Sequence, residues 1–541
     1  MKSLHAISLI LVIWAAIYLT HLGERELRGE EARRIIPAQE MIQTDQWVVP
    51  TLAGETYGNK PPLINWVIAA SFLITGSESE FAARLPSVLS LLILSLTTFF
   101  VLRKELGVKK SVSVSLILLT AGSMIEKCRM AEIEAIFITL FGFACLSWIA
   151  LWTAKKSPWL IWTIPYLFIG IACLAKGPVH LIFWILFLIP VLKSAGGLRQ
   201  VFHPAHLLGL IIMASIALPW VFANLNAVEK PDESLDNWIN ELAKRTEVSK
   251  AALQGWATHP LEILINFLPW TVPLVFSLWC LRKEDPPPRP LSRWDAVYHG
   301  AFWSIVLTAI ALLCIPGGLP RYILPLYVPA SIAVVVLYFR VKGAPREAYE
   351  RFAYKFLVGG AITLAVVIVS GTAFAISSQL TPLWPLLIFS LLVLGGCLAW
   401  LLRVKTQPGV FISTPIFVAA AYFTIINASI PFERTRYEFR DGAAEIIALT
   451  NELDSGLVFY ADSDYRNAFP KHLRLLYYLG DKFTYQGESK KLPADTSFLI
   501  GREGSLPAMR ELASAYRVEK TATVKVEEMK LEALYLSARE D

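Results

Sequence analysis

SLHAISLILVIWAAIYLTHL, residues 3–22, is the stretch from which the fold is first read. It has the roughly 20 residues a helix needs to cross a bilayer, and it lacks the small-residue cleavage site of a removable signal, so it reads as a retained span. Similar runs recur near 85–102, 111–125, 135–153, 159–175, 178–193, 206–224, 261–281, 301–316, 322–339, 356–376, 383–402 and 409–428. They predict about thirteen transmembrane helices. Residues 64–75 are apolar but short, and read as interfacial or re-entrant. Composition agrees: the 541 residues are 55% hydrophobic and only 17% charged, with a mean hydropathy of +0.51, whereas soluble domains carry about 25% charged residues. A polytopic α-helical membrane protein is therefore expected. The 17 Trp and 29 Phe suit aromatic belts at the two interfaces. Cys145, Cys173, Cys280, Cys314 and Cys397 lie in or at the end of apolar runs and Cys128 stands alone, so neither a disulfide framework nor a metal cluster is indicated.

Lysine and arginine set the expected orientation. With the N-terminus cytoplasmic and 64–75 not crossing, the inside loops hold Arg103, Lys104, Lys109 and Lys110; Lys155 and Lys156; Lys193 and Arg199; Arg282, Lys283, Arg289 and Arg293; Arg340, Lys342 and Arg346; and Arg403 and Lys405. Every inside loop is then basic, as positive-inside sorting requires. The net charge of +6 thus reflects orientation, and nucleic acid is not implied. Three sizeable segments fall outside: 21–62, 225–260 and 431–541. The last is richer in charge, with β-like runs at 456–460, 497–500 and 533–536 and helix-like segments at 441–453 and 504–515. A small outer α/β domain is expected there. Walker and dinucleotide motifs are absent, which argues against a soluble nucleotide donor.

The first outer segment concentrates ionisable groups. Glu30 and Glu31 open a stretch, 30–43, that reads as a short surface helix interrupted near Pro37, and Lys60-Pro61-Pro62 leads back to the membrane. Acid and cation at one interface suit group transfer from a lipid phosphate. A carboxylate within hydrogen-bond reach takes the acceptor proton, and cations meet the charge that develops on the leaving phosphate. Lone loop carboxylates are otherwise usually solvated.

The run EEARRIIPAQEMIQTDQWVVPTLAGETYGNKPPLINW (30–66), followed by FAARLPSVLSLL (81–92), resembles the first outer loop of the protein O-mannosyltransferase and aminoarabinose-transferase superfamily, integral-membrane glycosyltransferases of the GT-C fold. LAKGP (174–178), FLPW (267–270), LPRYILPLYVPA (319–330) and the C-terminal domain are similar to that family in order and placement, so nearly the whole chain is covered. The resemblance implies a GT-C domain over 1–430, with an outer catalytic loop 23–62 and a second outer loop 225–260, followed by a periplasmic α/β domain over 431–541. It implies an inverting transferase in a bacterial inner membrane that takes sugar from an undecaprenyl-phosphate carrier. The acceptor is a hydroxyl of lipid A, another glycan or lipid, or a protein.

By position, the family's acidic pair matches Glu30 and Glu31, with Glu30 as the presumed base. Lys60 matches the lysine on the donor phosphate, and Arg321 and Tyr322 match the arginine-tyrosine segment near it. Arg33 and Lys176 are further phosphate-binding candidates. Glu134, with Glu132 close by, matches a second acidic position. Two departures stand out: Glu30 replaces the commoner Asp, and Asn59 stands where aminoarabinose transferases often carry a metal-supporting Glu. A divalent metal would have to rely on Asn59 and His259, a poor set beside three or four N, S or O ligands.

Other residues have plainer readings. Lys176 meets phosphate or snorkels, Arg84 orients the first loop or marks a span's edge, Trp47, Trp66 and Trp270 line a groove or anchor at the interface, and His180 is a packed histidine. About thirteen spans also suit a secondary transporter or flippase, but such proteins place ionisable groups at the midplane and show internal repeats. A non-catalytic scaffold leaves the acid and lysine loop unexplained.

Overall fold

The apolar runs become helices, two of which end at glycines of positive φ, Gly76 and Gly177. The computed structural model describes residues 2–57, 60–227, 250–284, 290–315, 319–377, 384–406, 409–434, 437–451, 456–460, 470–480, 483–486, 492, 496–526 and 529–538. In chain order the helices are α1 (Ser3–Trp14), continued by a π-helical turn to Leu19, α2 (Ala32–Thr44), α3 (Leu63–Thr75), α4 (Glu80–Thr120), α5 (Gly122–Lys127), α6 (Ile133–Thr153), α7 (Pro158–Lys176), α8 (His180–Ser194), α9 (Pro204–Ala227), α10 (Lys250–Asn266), α11 (Thr271–Leu281), α12 (Arg293–Leu313), α13 (Tyr327–Arg340), α14 (Ala344–Ser377), α15 (Trp384–Val404) and α16 (Val410–Arg434).

Among the described residues, nine helices are long and apolar enough to cross a membrane, or ten if α10 and α11 form one bent span. The predicted number was higher because two long rods each carry two of the predicted runs. Glu80–Thr120 is broken at Gly107, and Pro158–Ser194 is broken beyond Lys176. Ser3–Leu19 and Leu63–Thr75 are apolar helices but shorter than the others. Residues 261–281, expected to form one run, bend by 103° between α10 and α11; Pro269 in the break has no N–H to continue a helical ladder.

The core centres on α6, which packs on α4 and α7. Trp148, Trp152, Trp162 and Trp184 are all fully buried, with Trp148 stacked on Trp152 at 4.8 Å. Such aromatic pairs contribute about 0.5–1.5 kcal/mol beyond the area they bury. Small polar groups tie helix to helix, as where Ser115 Oγ donates to the Ser95 carbonyl at 2.8 Å.

Beyond α16 come α17 (Glu438–Asn451), α18 (Pro470–Leu479) and α19 (Leu506–Leu512), with strands β3 (Gly456–Tyr460), β4 (Phe483–Gln486), β5 (Thr496–Arg502), β6 (Tyr516–Val526) and β7 (Met529–Ala538). The sheet order is β4-β3-β5-β7-β6, with parallel pairing on one side of β5 and antiparallel on the other. The three predicted strands are β3, β5 and β7. The hairpin β1 (Thr51–Leu52) and β2 (Glu55–Thr56) lies in the first loop.

This small domain grips the loop that follows α1. Tyr437 donates to the Glu24 carbonyl (2.7 Å), the Arg440 N–H to Glu26 Oε1 (2.8 Å), and the Leu27 N–H to Tyr478 Oη (3.0 Å). Arg440 and Tyr478 both reach Glu80 Oε1, at 2.5 and 2.9 Å. Helix α2 is therefore not the interrupted surface helix expected: it runs through Pro37 and buries Ile35, Ile36 and Ala38 against α3 and α18. Tertiary packing on both sides holds helix where a free segment would break.

Candidate active site

Glu31 is sealed. Its side chain is inaccessible, and its two oxygens accept four hydrogen bonds: Oε1 from Arg84 Nε (2.7 Å) and the Ala131 N–H (2.9 Å), Oε2 from Arg84 Nη2 (2.8 Å) and the Arg28 N–H (2.8 Å). A carboxylate has about four lone-pair sites, so none is left for a substrate proton. Burial alone would push this carboxyl up, but the Arg84 guanidinium and the two N–H donors hold it below the usual range. Arg84 also donates to the carbonyls of Leu22, Arg25 and Glu26, which fixes the loop.

Glu30, one residue earlier, points elsewhere. Its carboxylate is 33% exposed and lies 3.1 Å from Arg33 Nη1, while its backbone N–H donates to Glu132 Oε1 at 3.3 Å. Gly29 makes this approach possible. It sits at φ +53°, and a Cβ there would lie 2.8 Å from Glu132 Oε1. Glu132 is buried, with Lys127 Nζ at 3.8 Å. Burial, then the neighbouring charge of Glu134, raises its carboxyl above the ordinary range.

Glu134, in the first turn of α6, gathers the cations. Lys176 Nζ stands 3.2 Å and Arg321 Nε 3.7 Å from its Oε1. Lys176 is delivered by the end of α7, where Gly177 at φ +72° turns the chain sharply, and it packs over the rings of Tyr322 (4.9 Å) and Phe137 (5.5 Å). Lys60 adds its positive charge within electrostatic range of Lys176. Buried Arg34 donates to Tyr57 Oη at 2.9 Å and lies in the fields of both Glu30 and Glu134. Residues from four distant parts of the chain thus form one acid and cation cluster: Glu30 and Arg33, Lys60, Glu132 and Glu134 with Lys176, and Arg321 with Tyr322.

The other singled-out residues take varied places. Asn59 lies outside the described residues. His259 is buried on α10, and among the described residues no three His, Cys, Asp or Glu side chains converge as a metal-binding group, so no step is derived through a metal. Arg84 orients the loop rather than only marking an edge. His180 Nε2 donates to the Ile169 carbonyl at 3.0 Å as a packed histidine. Trp270 is buried against Phe411 (5.4 Å), and Trp66 donates to the Trp47 carbonyl (2.8 Å).

Sequence reading did not single out Arg34, Lys127 or Arg129. Arg34 was legible only as the second arginine of Arg33-Arg34, lying beside Glu30 in sequence. A cavity of about 490 Å³ next to Gly29 has Arg25, Arg28, Lys127 and Arg129 in its wall together with Glu126 and the Glu31 and Arg84 pair. Arg129 is held there by donation to the carbonyls of Ile17 and Thr20.

Comparison with known proteins agrees with this architecture. The sequence profile of the family described as dolichyl-phosphate-mannose-protein mannosyltransferase matches residues 59–222. A protein of Aquifex aeolicus is 23% identical over 70% of this chain and 72% of its own length. An undecaprenyl phosphate-alpha-4-amino-4-deoxy-L-arabinose arabinosyl transferase of Proteus mirabilis is 27% identical over 60% of this chain and 58% of its own. The chain therefore spans less than two thirds of that transferase's length. The crystal structure of ArnT from Cupriavidus metallidurans bound to undecaprenyl phosphate superposes with a TM-score of 0.71, covering 99% of both chains at 17% identity. At that identity the likeness is one of fold.

Proposed function

We propose that this chain, which resembles the GT-C membrane glycosyltransferases that include protein O-mannosyltransferases and aminoarabinose transferases, moves a sugar from a polyprenyl-phosphate donor to an acceptor hydroxyl on the periplasmic face of a bacterial inner membrane. The observation that carries this reading is the division of labour between adjacent carboxylates. Glu31 is saturated, while Glu30 is one-third exposed and tied through its backbone N–H to Glu132, which lies in the field of Glu134 with its Lys176 and Arg321.

In this reading Glu30 takes the acceptor O–H proton, and the freed oxygen attacks the anomeric carbon. The bond from that carbon to the phosphate oxygen breaks, and its electron pair leaves with the polyprenyl phosphate. Lys176, Arg321 and Lys60 meet the added negative charge, with Glu134 holding the first two in place and Tyr322 packed under the lysine. Arg33 sets the Glu30 side chain. A single displacement inverts the anomeric centre. The cavity next to Gly29, where Lys127 and Arg129 stand beside Arg25 and Arg28, the latter two paired with Glu433, supports an acceptor that carries phosphate, as lipid A does, over a neutral protein hydroxyl. The N-terminus is then cytoplasmic and the C-terminal domain periplasmic, in keeping with the basic loops.

The test is transfer from a panel of radiolabelled polyprenyl-phosphate sugars to membrane acceptors by wild type, Glu30→Gln and Lys60→Ala. Loss on the order of a hundredfold or more in both variants is expected. Wild-type transfer by Glu30→Gln would remove the base from its assigned place.

A further inference from the structure

A second cavity, of about 1130 Å³, lies at the opposite end of the helices from the carboxylates. Helix α13 starts beside the cluster, where Tyr327 shares a 2.8 Å hydrogen bond with Ser123, and ends at Arg340. Helix α16 starts at the cavity with Val410 and reaches Asn427, 2.8 Å from His21. At 1.5 Å per residue, those lengths separate the two ends by roughly 20–25 Å.

Five basic side chains line the cavity, Lys109, Lys342, Arg346, Arg351 and Arg403, against Glu347 and Glu350. The acids are engaged. Glu350 accepts from Tyr338 Oη (2.6 Å) and the Val410 N–H (2.8 Å), and Glu347 faces Arg351 at 3.8 Å. Arg346 packs over Phe339 at 4.6 Å. Lys109, Lys342 and Arg403 are exposed and form no ion pair with a described residue. The remaining wall is apolar, including Trp400, Val404 and Phe411. Helices α14 and α16 both begin at this rim, so their positive ends add to the field. Charges that serve orientation alone need only sit in loops; a shaped recess with an apolar wall exceeds that need.

We propose that this recess binds the phosphate headgroup of an anionic membrane lipid, with Lys109, Lys342 and Arg403 on the phosphate and the first acyl carbons against Trp400 and Val404. Basic pockets between membrane helices suit such headgroups. A soluble phosphate would share the charge chemistry but would not use the apolar wall. The proposal does not depend on the transferase reading.

The full chain, purified in detergent, is titrated with phosphatidylglycerol or phosphatidylcholine, and bound lipid is counted by native mass spectrometry with and without excess glycerol phosphate. Phosphatidylglycerol should bind preferentially and resist glycerol phosphate. The double variant Lys342→Glu, Arg403→Glu should weaken it roughly tenfold or more, and Lys155→Glu, Lys156→Glu, in the turn after α6, should leave it unchanged. Lys342→Gln, which removes an exposed charge without adding an acid, should show a smaller loss and serves if the double variant fails to fold. Equal loss in both doubles, no preference between the lipids, retention of full affinity by the cavity variants, or displacement by glycerol phosphate would each overturn the proposal.

Discussion

Glu31→Gln is expected to unfold the loop without removing the base, and Glu30→Gln to do the reverse. Glu31 faces four donors at 2.7–2.9 Å, two of them from Arg84, whose side chain is 5% exposed. Glutamine keeps one acceptor oxygen and turns an NH₂ group against N–H donors. It also leaves the Arg84 guanidinium buried beside a neutral partner. Removing one member of a buried pair costs about 3–5 kcal/mol, a large share of the 5–15 kcal/mol that typically holds a domain together. The Glu30 carboxylate is one-third exposed and paired with Arg33, a contact worth about 0–1 kcal/mol. Thermal unfolding in detergent, followed by intrinsic tryptophan fluorescence, should show Glu31→Gln melting well below wild type and Glu30→Gln melting with it. Transfer assays on the folded fraction should find Glu30→Gln inactive. Acid sharpens the test. Although burial opposes it, Arg84 depresses the folded-state Glu31 carboxyl, so its stabilisation is present above the ordinary glutamate range and is lost as pH falls through the depressed value. The gap between wild type and Glu31→Gln should therefore close on acidification. A Glu31→Gln protein as stable as wild type but devoid of transfer would refute the reasoning and exchange the two roles.

Lys176→Met should cut transfer by roughly a hundredfold, because the charge nearest Glu134 no longer meets the leaving phosphate; single-turnover transfer at saturating donor reads this. Gly29→Ala places a methyl 2.8 Å from Glu132 Oε1 at a positive φ, so transfer should fall while the spans stay folded, as checked by activity beside circular dichroism. Glu132, raised first by burial and then by Glu134, should show the opposite linkage to Glu31: its stabilisation is present below the ordinary carboxylate range and is lost as pH rises through the raised value. Glu132→Gln should therefore gain in melting temperature relative to wild type on going from acid to neutral pH. Arg440→Ala, which frees Glu80 from its 2.5 Å contact, should make the C-terminal domain more sensitive to limited proteolysis.

The membrane architecture was legible in the chain because hydropathy is local. Each apolar run contains the information for its own helix, and β3, β5 and β7 announce themselves in the same way. Breaks were less legible. Residues 261–281 read as one run, and the 103° bend between α10 and α11 appears only in the backbone. The clustering of acids and lysines in the first loop was also plain from order alone, as was the resemblance that ties Glu30, Lys60 and Arg321 together. Which of two adjacent glutamates remains accessible was not. That answer depends on Arg84, 53 positions later, and on the backbone of Ala131, 100 positions later, both directed at Glu31 by helix packing. The same holds for Lys176 and Arg321, which meet at Glu134 only because α6, α7 and the segment before α13 converge. Sequence determined which chemical groups were present and which apolar runs separate them. Tertiary structure decided which were spent on one another and which were left accessible, because hydrogen-bond saturation is a property of neighbours in space.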